Sequence, residues 1–584
     1  MYEGKLSVDN REVAELLSRI ADMLEFKGEN PFKVRSYRNA AEIIEDLGES
    51  VSEIVARGGA AALEKIHGIG KSLSAQIVEI VQTGSSHVIE ELRREFPETV
   101  LDLLRVSGIG LKTAQSLYRN FGVKSLEDLR AFAEGGGLGS VPGLGQKTAE
   151  KIIRSLERIE AERGQMRLNE AIELARSLVR QLEPKANRLE IVGQIRRWCE
   201  MVSAIELLAS GQPSALIEAF IQLPQISQVK VKLPDRVEAE TTKEVKAILH
   251  IAPEENFAAA MVRTTSSEDH LRQLEALARE MGLGFEGFQL IRENRPLRLE
   301  GERELYRALG LEFIPPELRE GRGEIEAARA GKMPKLIARA DIRGDLHMHT
   351  DWSDGRNTIR EMIEAARALG HSYIAITDHT KSSSVANGNT AEELLEEIRE
   401  INQVARDYTD ICVLKGAEVD ILSDGSLDLP FEVLDELDWI ICSIHSGFHQ
   451  GRQRITDRVI SAMRTGYPNA FAHPTGRLLG QRPPYEIDLE QVIEAAREHH
   501  VRLELNASPY RLDLNDKWLR VAKSAGVGIV INTDSHNARS LEDMRYGVMM
   551  ARRAWLEPED VLNSKPLEEL LEELGRKKSR RGRA

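Results

Sequence analysis

Histidines and carboxylates recur at the ends of short apolar runs in the C-terminal part of the sequence. The runs finish at Asp345-Leu346-His347-Met348-His349, Ile374-Ala375-Ile376-Thr377-Asp378-His379, Gly416-Ala417-Glu418, Ser443-Ile444-His445, Ala470-Phe471-Ala472-His473-Pro474, Leu503-Glu504-Leu505-Asn506 and Asn532-Thr533-Asp534-Ser535-His536. Imidazoles and carboxylates brought together form the donor set of a site for several divalent ions. Such a site acidifies a water for hydrolysis and needs no protein nucleophile. Helix-like stretches separate the runs, and this repeated alternation predicts a parallel sheet closed into a barrel. In a barrel of that kind the C-terminal strand ends converge on one face, where the chemistry is done. His347 and His349 then point the same way, because side chains alternate along a strand with period two.

A chain of 584 residues is too long for one core, and length alone predicts roughly four domains. With 41% hydrophobic and 30% charged residues the composition is that of a globular protein. There is no apolar run of about 18 residues, so no membrane span is expected. The opening residues Met1-Tyr2-Glu3-Gly4-Lys5 carry no apolar signal segment. Cys199, Cys412 and Cys442 are scattered and odd in number, which fits a reducing compartment and a cytoplasmic location. The net charge of −15 is a mild argument against nucleic acid, although backbone amides can hold phosphates without side-chain charge. One basic run, Arg576-Lys577-Lys578-Ser579-Arg580-Arg581, reads either as a solvated end or as a nonspecific DNA contact.

The N-terminal third repeats a small pattern of apolar helix, Gly-hydrophobic-Gly turn and second helix. The copies are Ile66-His67-Gly68-Ile69-Gly70-Lys71, Val106-Ser107-Gly108-Ile109-Gly110-Leu111 and Val141-Pro142-Gly143-Leu144-Gly145-Gln146. The glycines permit a tight turn and close backbone approach, and the following amides sit at a helix N-terminus, a natural phosphate cradle. One Gly-x-Gly is more often a helix cap. Three copies with similar flanks closely resemble helix-hairpin-helix modules, which grip the DNA backbone without reading its sequence. Hairpins used only for packing are the bland alternative. Gly135-Gly136-Gly137, between the second and third copies, reads as a flexible joint.

In segment order the chain resembles bacterial family X DNA polymerases with a C-terminal PHP domain over essentially its whole length. The resemblance implies a multidomain fold: a helical helix-hairpin-helix region, an α+β nucleotidyltransferase-like palm and thumb, and an α/β PHP domain, a distorted TIM-like (β/α)7 barrel. The matching divisions are residues 1–85, with the first hairpin; 86–165, with the second and third; 166–255, the palm; 256–335, thumb and linker; 340–575, the PHP domain; and 576–584, a basic tail. Pro315-Pro316-Glu317-Leu318-Arg319-Glu320, followed by Gly323-Glu324-Ile325, looks like the family's passage out of the thumb.

Family palms carry Gly-Ser-x-Arg-Arg, then Asp-x-Asp, then a third Asp on a neighbouring strand. Those carboxylates hold two magnesium ions for nucleotidyl transfer. Here the matching stretches are Gly193-Gln194-Ile195-Arg196-Arg197 and Ala204-Ile205-Glu206, and the third position falls on Ile248. The family's Thr-Gly-Ser turn is altered to Thr264-Thr265-Ser266. Alanine and isoleucine offer no oxygen to a hard cation, so a polymerase fold without polymerase chemistry is expected. The lysine that some family members use for lyase chemistry is matched by Gln76.

The PHP resemblance implies a nine-ligand set: His347, His349, Asp354, His379, Glu418, His445, His473, Asp534 and His536. It implies two to three divalent metal ions, zinc or manganese, an assignment the donor types suit. Asn506 and Arg511 are read either as contacts to substrate phosphate or as cap and surface residues. His250, His270, His371, His449, His499 and His500 receive no role. The expected function is a DNA repair enzyme acting as a metal-dependent 3′–5′ exonuclease or phosphodiesterase on gapped, nicked or 3′-end DNA, as a monomer. The alternatives are a working polymerase with exonuclease, a phosphatase on a small phosphoester, and a noncatalytic DNA-binding scaffold.

Overall fold

The structure is a computed structural model and describes residues 10–578 apart from Asp46, Gly48, His67 and Glu162. Met1–Lys5, His67 of the first hairpin and residues 579–584 of the basic tail therefore lie outside the described residues. The chain divides into two compact units, Met1–Arg163 and Gly164–Ala584.

In the first unit each Gly-x-Gly segment closes with the same backbone hydrogen bond. The Ile69 N–H donates to Ile66 O (3.1 Å), Ile109 to Val106 O (2.9 Å) and Leu144 to Val141 O (3.1 Å). The first glycine of each pair is left-handed, with φ of +87°, +100° and +81° at Gly68, Gly108 and Gly143, a region that a Cβ disfavours. A Cβ on Gly68 would also stand 2.5 Å from Ile43 Cδ1. The second glycines, Gly70, Gly110 and Gly145, have open space around them. They directly precede the helices Lys71–Thr83, Leu111–Phe121 and Gln146–Ala161. No side chain caps the first two of these helices, so their leading N–H groups lack an internal acceptor. The paired glycines thus divide the labour: one makes the turn, the other leaves open space before the helix N-terminus.

Of Gly135-Gly136-Gly137, read as a flexible joint, Gly135 and Gly136 are exposed and only Gly137 is packed. The apolar Leu138 that follows is buried, and a Cβ on Gly137 would stand 2.5 Å from the Phe132 ring. The Ser107 N–H also donates to Ser155 Oγ at 2.9 Å, tying the second copy to the third. Gln76 is buried and accepts from Ser86 Oγ at 2.5 Å.

The second unit begins with a five-stranded sheet in the order Arg188–Val192, Ala204–Ser210, Lys246–Ile251, Arg236–Thr241, Ile226–Lys232. Ile205, Leu207 and Ala209 join the core formed with helices Leu168–Leu182 and Pro213–Ile221. By the two-residue alternation of a strand, Ala204 and Glu206 face the other way. The thumb segment follows with helices Phe257–Thr265, Glu268–Glu280 and Glu302–Ala308 and a three-stranded sheet. Glu302 links the two parts, bonding Arg196 at 2.6 Å and the buried Arg319 at 2.6 Å. Burial raises the Glu302 pKa, but the two guanidinium groups outweigh it and bring it down to about 2. The stabilisation is fully present above the ordinary value of 4.5 and is lost as pH falls toward about 2. Glu302→Gln should therefore lower stability by about 3 kcal/mol near neutral pH. In urea unfolding the gap to the unaltered protein should close as the pH is taken through this window.

The C-terminal barrel has seven parallel strands in sequence order: Gly344–Asp345, Tyr373–Ile376, Cys412–Asp420, Trp439–Ser443, Ala470–Phe471, Arg502–Asn506 and Ile529–Asn532. The strands are buried on both faces, which is why they read as continuous apolar runs. The first and last strands meet at the C-terminal rim. His349 N–H donates to Ser535 O (2.8 Å), Asp534 N–H to His347 O (3.0 Å), and Asn532 Oδ1 accepts from Leu346 N–H (3.1 Å). This leaves a nearly closed barrel whose C-terminal rim carries the histidines and carboxylates.

Candidate metal centre

Glu418 stands at the centre of the rim. Its Oε2 lies 2.9 Å from His379 Nδ1, 3.4 Å from His347 Nε2 and 3.7 Å from His349 Nε2. Its Oε1 lies 2.9 Å from His473 Nε2 and 3.4 Å from His445 Nε2. Asp534 Oδ1 is 3.1 Å from His349 Nε2 and 3.5 Å from His347 Nε2. Asp354 reaches in from its loop, with Oδ1 3.3 Å from His536 Nε2 and 3.6 Å from His379 Nε2. Three groups of donor atoms result, each within 4.8 Å: His347, His349, Glu418 and Asp534; His379, Glu418 and His445; His349, Asp354, His379 and His536. Glu418, His349 and His379 are each shared between two groups. His473 borders Glu418 but lies outside the three.

The donor set fits a cluster of divalent ions. His347 Nε2, His349 Nδ1, His379 Nδ1 and Glu418 Oε2 are buried and make no well-aligned hydrogen bond, although His379 Nδ1 and Glu418 Oε2 lie 2.9 Å apart. Buried polar atoms left in this way are rare in a folded protein and mark a place where something else completes the bonding. The charge states suit that role. Burial raises the Glu418 pKa, but His445, His379 and His347 outweigh it and hold the carboxyl well below its usual range. Burial likewise raises Asp354, and the His536 hydrogen bond reverses this to about 2. Burial, reinforced by His536 and His379, lowers His349 to about 4, so its ring is neutral at physiological pH.

Several supporting residues were missed from sequence. Glu504 accepts from His347 Nδ1 at 2.8 Å and from the His473 N–H at 2.7 Å. Asp420 accepts from His445 Nδ1 at 2.8 Å. Asp378 accepts from Thr350 N–H at 2.8 Å and Thr350 Oγ1 at 2.7 Å, fixing the backbone beside His349. Carboxylates on the far nitrogen of an imidazole set its tautomer and aim the other nitrogen inward. Period two is the cue that finds two of them, because Asp420 shares a strand face with Glu418, and Glu504 with Asn506. Asn506 itself is buried and donates to Asp534 Oδ2 at 2.9 Å. Arg511 Nε lies 3.4 Å from the same oxygen, with the side chain partly exposed at the rim.

The palm positions also come together, with different chemistry. Ile248 sits in register beside Glu206 on the neighbouring strand. Ala204 and Ile248 are buried, and Glu206 Oε2 lies 3.0 Å from His250 Nε2. Gln194 Oε1 accepts from Ser203 N–H and Oγ at 2.8 and 2.9 Å. Arg196 bonds Glu302 and Thr265 Oγ1, and Arg197 bonds Glu320 and Thr265 O. His270 is buried against Glu324 at 2.6 Å, in the thumb core.

Hairpin repeats, a palm-like sheet with a thumb, and a histidine-rich barrel define the class: a DNA polymerase body fused to a hydrolase-type barrel. The comparisons agree. The helix-hairpin-helix domain family matches residues 8–86, the SAM-like helix-hairpin-helix tandem 100–158, the DNA polymerase beta thumb 260–320 and the PHP domain 345–508. The "DNA polymerase/3'-5' exonuclease PolX" of Bacillus subtilis (strain 168) is 37% identical over 571 residues, 96% of this chain and 98% of the relative. The "Probable phosphatase YcdX" of Escherichia coli (strain K12) is 30% identical over 234 residues, 38% of this chain and 90% of that protein. The chain belongs to the family X DNA polymerases that carry a C-terminal PHP domain. Its helix-hairpin-helix and thumb domains are DNA-binding types, and its PHP domain is a metal-binding hydrolase type. Among the described residues no helix is long and apolar enough to cross a membrane.

Proposed function

We propose that the protein is a metal-dependent 3′–5′ exonuclease or phosphodiesterase acting on gapped, nicked or 3′-end DNA, and that templated polymerisation is lost. One contrast carries this reading. The barrel rim gathers donors around Glu418, and four of their buried atoms make no well-aligned hydrogen bond, while of the three matched palm positions only Glu206 is a carboxylate, beside Ala204 and Ile248. In this reading two to three divalent ions, zinc or manganese, are held by His347, His349, Asp354, His379, Glu418, His445, His473, Asp534 and His536. Such ions supply Lewis acidity toward a phosphodiester and lower the pKa of water. The chain's own residues do the rest. Glu504 and Asp420 orient His347 and His445, Asn506 orients Asp534, and Arg511 presents a guanidinium where a phosphate would enter. The name of the B. subtilis relative carries both activities, and the exonuclease half is the one this chain's residues support. The E. coli likeness favours a second reading, a phosphatase on a small phosphoester. Three hairpin modules argue against it, since a free phosphoester needs no DNA grip. We place the enzyme in the cytoplasm as a monomer.

Incubating metal-loaded protein with gapped and 3′-recessed DNA, with and without dNTPs, separates these readings. Chelator-sensitive shortening without extension is expected. Templated extension, or turnover confined to small phosphoesters, would contradict the proposal. The hairpins give a further test. Gly70 and Gly110 have ordinary extended backbones and open surroundings, so valine fits there but crowds an approaching phosphate. Gly70→Val with Gly110→Val should weaken DNA binding about tenfold or more, while hydrolysis of a chromogenic phosphodiester stays unchanged. Fluorescence anisotropy and the small-substrate rate check the two halves. Gly68→Val is a poorer probe, because it strains the turn itself.

A further inference from the structure

We propose that the palm edge positions the barrel's phosphate-facing arginine: Glu200, acting through Arg477, fixes the loop that carries Arg511. This inference rests on the phosphoesterase reading above and adds a positioning role for the palm.

Arg477 lies four residues after His473, and its side chain is only 9% exposed. Its guanidinium forks onto Glu200, with Nη1 donating to Oε1 at 2.8 Å and Nη2 to Oε2 at 2.6 Å. On its other side, Nε donates to Arg511 O at 3.0 Å and Nη2 to Leu512 O. One planar group therefore holds a palm carboxylate and two successive carbonyls of the barrel loop. Planar bidentate bonding of this kind fixes orientation as well as distance. Leu512 is held at a φ of +44°, a conformation that persists where the surroundings impose it.

Glu200 is itself well placed to act as an anchor. Its carbonyl accepts from Leu168 N–H at 3.1 Å, and the strands Met166–Arg167 and Met201–Val202 pair beside it. From the same edge the Arg167 guanidinium lies 4.4 Å from the centre of the Tyr510 ring, one residue before Arg511. A single apolar core joins the two sides, including Met166 and Val202 of the palm and Leu512 and Leu514 of the loop. The loop thus receives its backbone position from the palm, and the Arg511 side chain projects from it to 3.4 Å from Asp534. A palm without its metal carboxylates retains a use: it holds the barrel's substrate-facing cation in place.

A double-mutant cycle on the full chain tests this. Glu200→Gln, Arg511→Ala and the double variant are compared in the steady-state kinetics of exonucleolytic end removal, separating kcat from KM, with DNA affinity and metal content measured alongside. Glu200→Gln keeps the size and loses the charge that anchors the fork, so kcat should fall about tenfold or more. DNA affinity and metal content should stay level. Arg511→Ala should fall at least as far, and adding Glu200→Gln to it should cost nothing further, because the two act through one group. A normal rate in either single variant, or losses that multiply in the double, would overturn the inference. If Glu200→Gln folds poorly, Arg477→Lys keeps the charge but breaks the fork, and the same cycle is run with it. Absence of chelator-sensitive DNA hydrolysis in the unaltered protein would instead defeat the proposed function itself.

Discussion

Replacing His349 or Asp534 with alanine should remove about a thousandfold or more of the DNA hydrolysis rate, because loss of one ion from a multi-ion clamp forfeits several kcal/mol of transition-state stabilisation. The two positions are chosen on geometry. His349 belongs to two of the three donor groups, and Asp534 lies 3.1 Å from its Nε2. Removing either also strands a partner: without Asp534, the buried Asn506 amide and the Arg511 guanidinium lose their common acceptor. DNA affinity should survive, since the hairpin turns belong to the other compact unit. Rate, affinity and metal content measured on the same preparations decide the matter. A variant that loses affinity in step with rate would point to misfolding instead.

The second large effect is an absence. Purified protein should not extend a primer on a template in magnesium or manganese, even with its nuclease disabled by His347→Ala. Two ions about 3.5–4 Å apart need several carboxylate oxygens, and of the three positions 204, 206 and 248 only Glu206 supplies one, already engaged by His250. Restoring aspartate at 204, 206 and 248 should not recover incorporation. Gln194 would still be bound to Ser203, and Arg196 and Arg197 to Glu302 and Glu320. Single-nucleotide incorporation on a gapped template is the assay, and an extended product in the His347→Ala background would refute this reading.

Much of this architecture is legible in the sequence because its cues are local. A left-handed turn needs glycine, so Gly68, Gly108 and Gly143 announce the hairpins. Strands buried on both faces read as apolar runs, and donors at their ends announce the rim. What stays hidden depends on contacts between distant segments. Glu200 and Arg477 are 277 residues apart, and nothing near either one signals the pairing. Glu504 and Asp420 required knowing which strand face looks inward. In Gly135-Gly136-Gly137 glycine density alone does not distinguish the exposed Gly135 and Gly136 from Gly137, which packs on the Phe132 ring beside the buried Leu138. Asn506, open between substrate contact and cap, bonds Asp534, a contact between neighbouring strands that composition does not record.

The most direct test of the account is the rate of 3′-end removal against bound metal in a single preparation stripped by chelation and then reloaded. At least two bound ions are expected at full activity, no hydrolysis in the stripped protein, and recovery of the rate as zinc or manganese returns. Near-full hydrolysis by protein shown to carry no metal would contradict it.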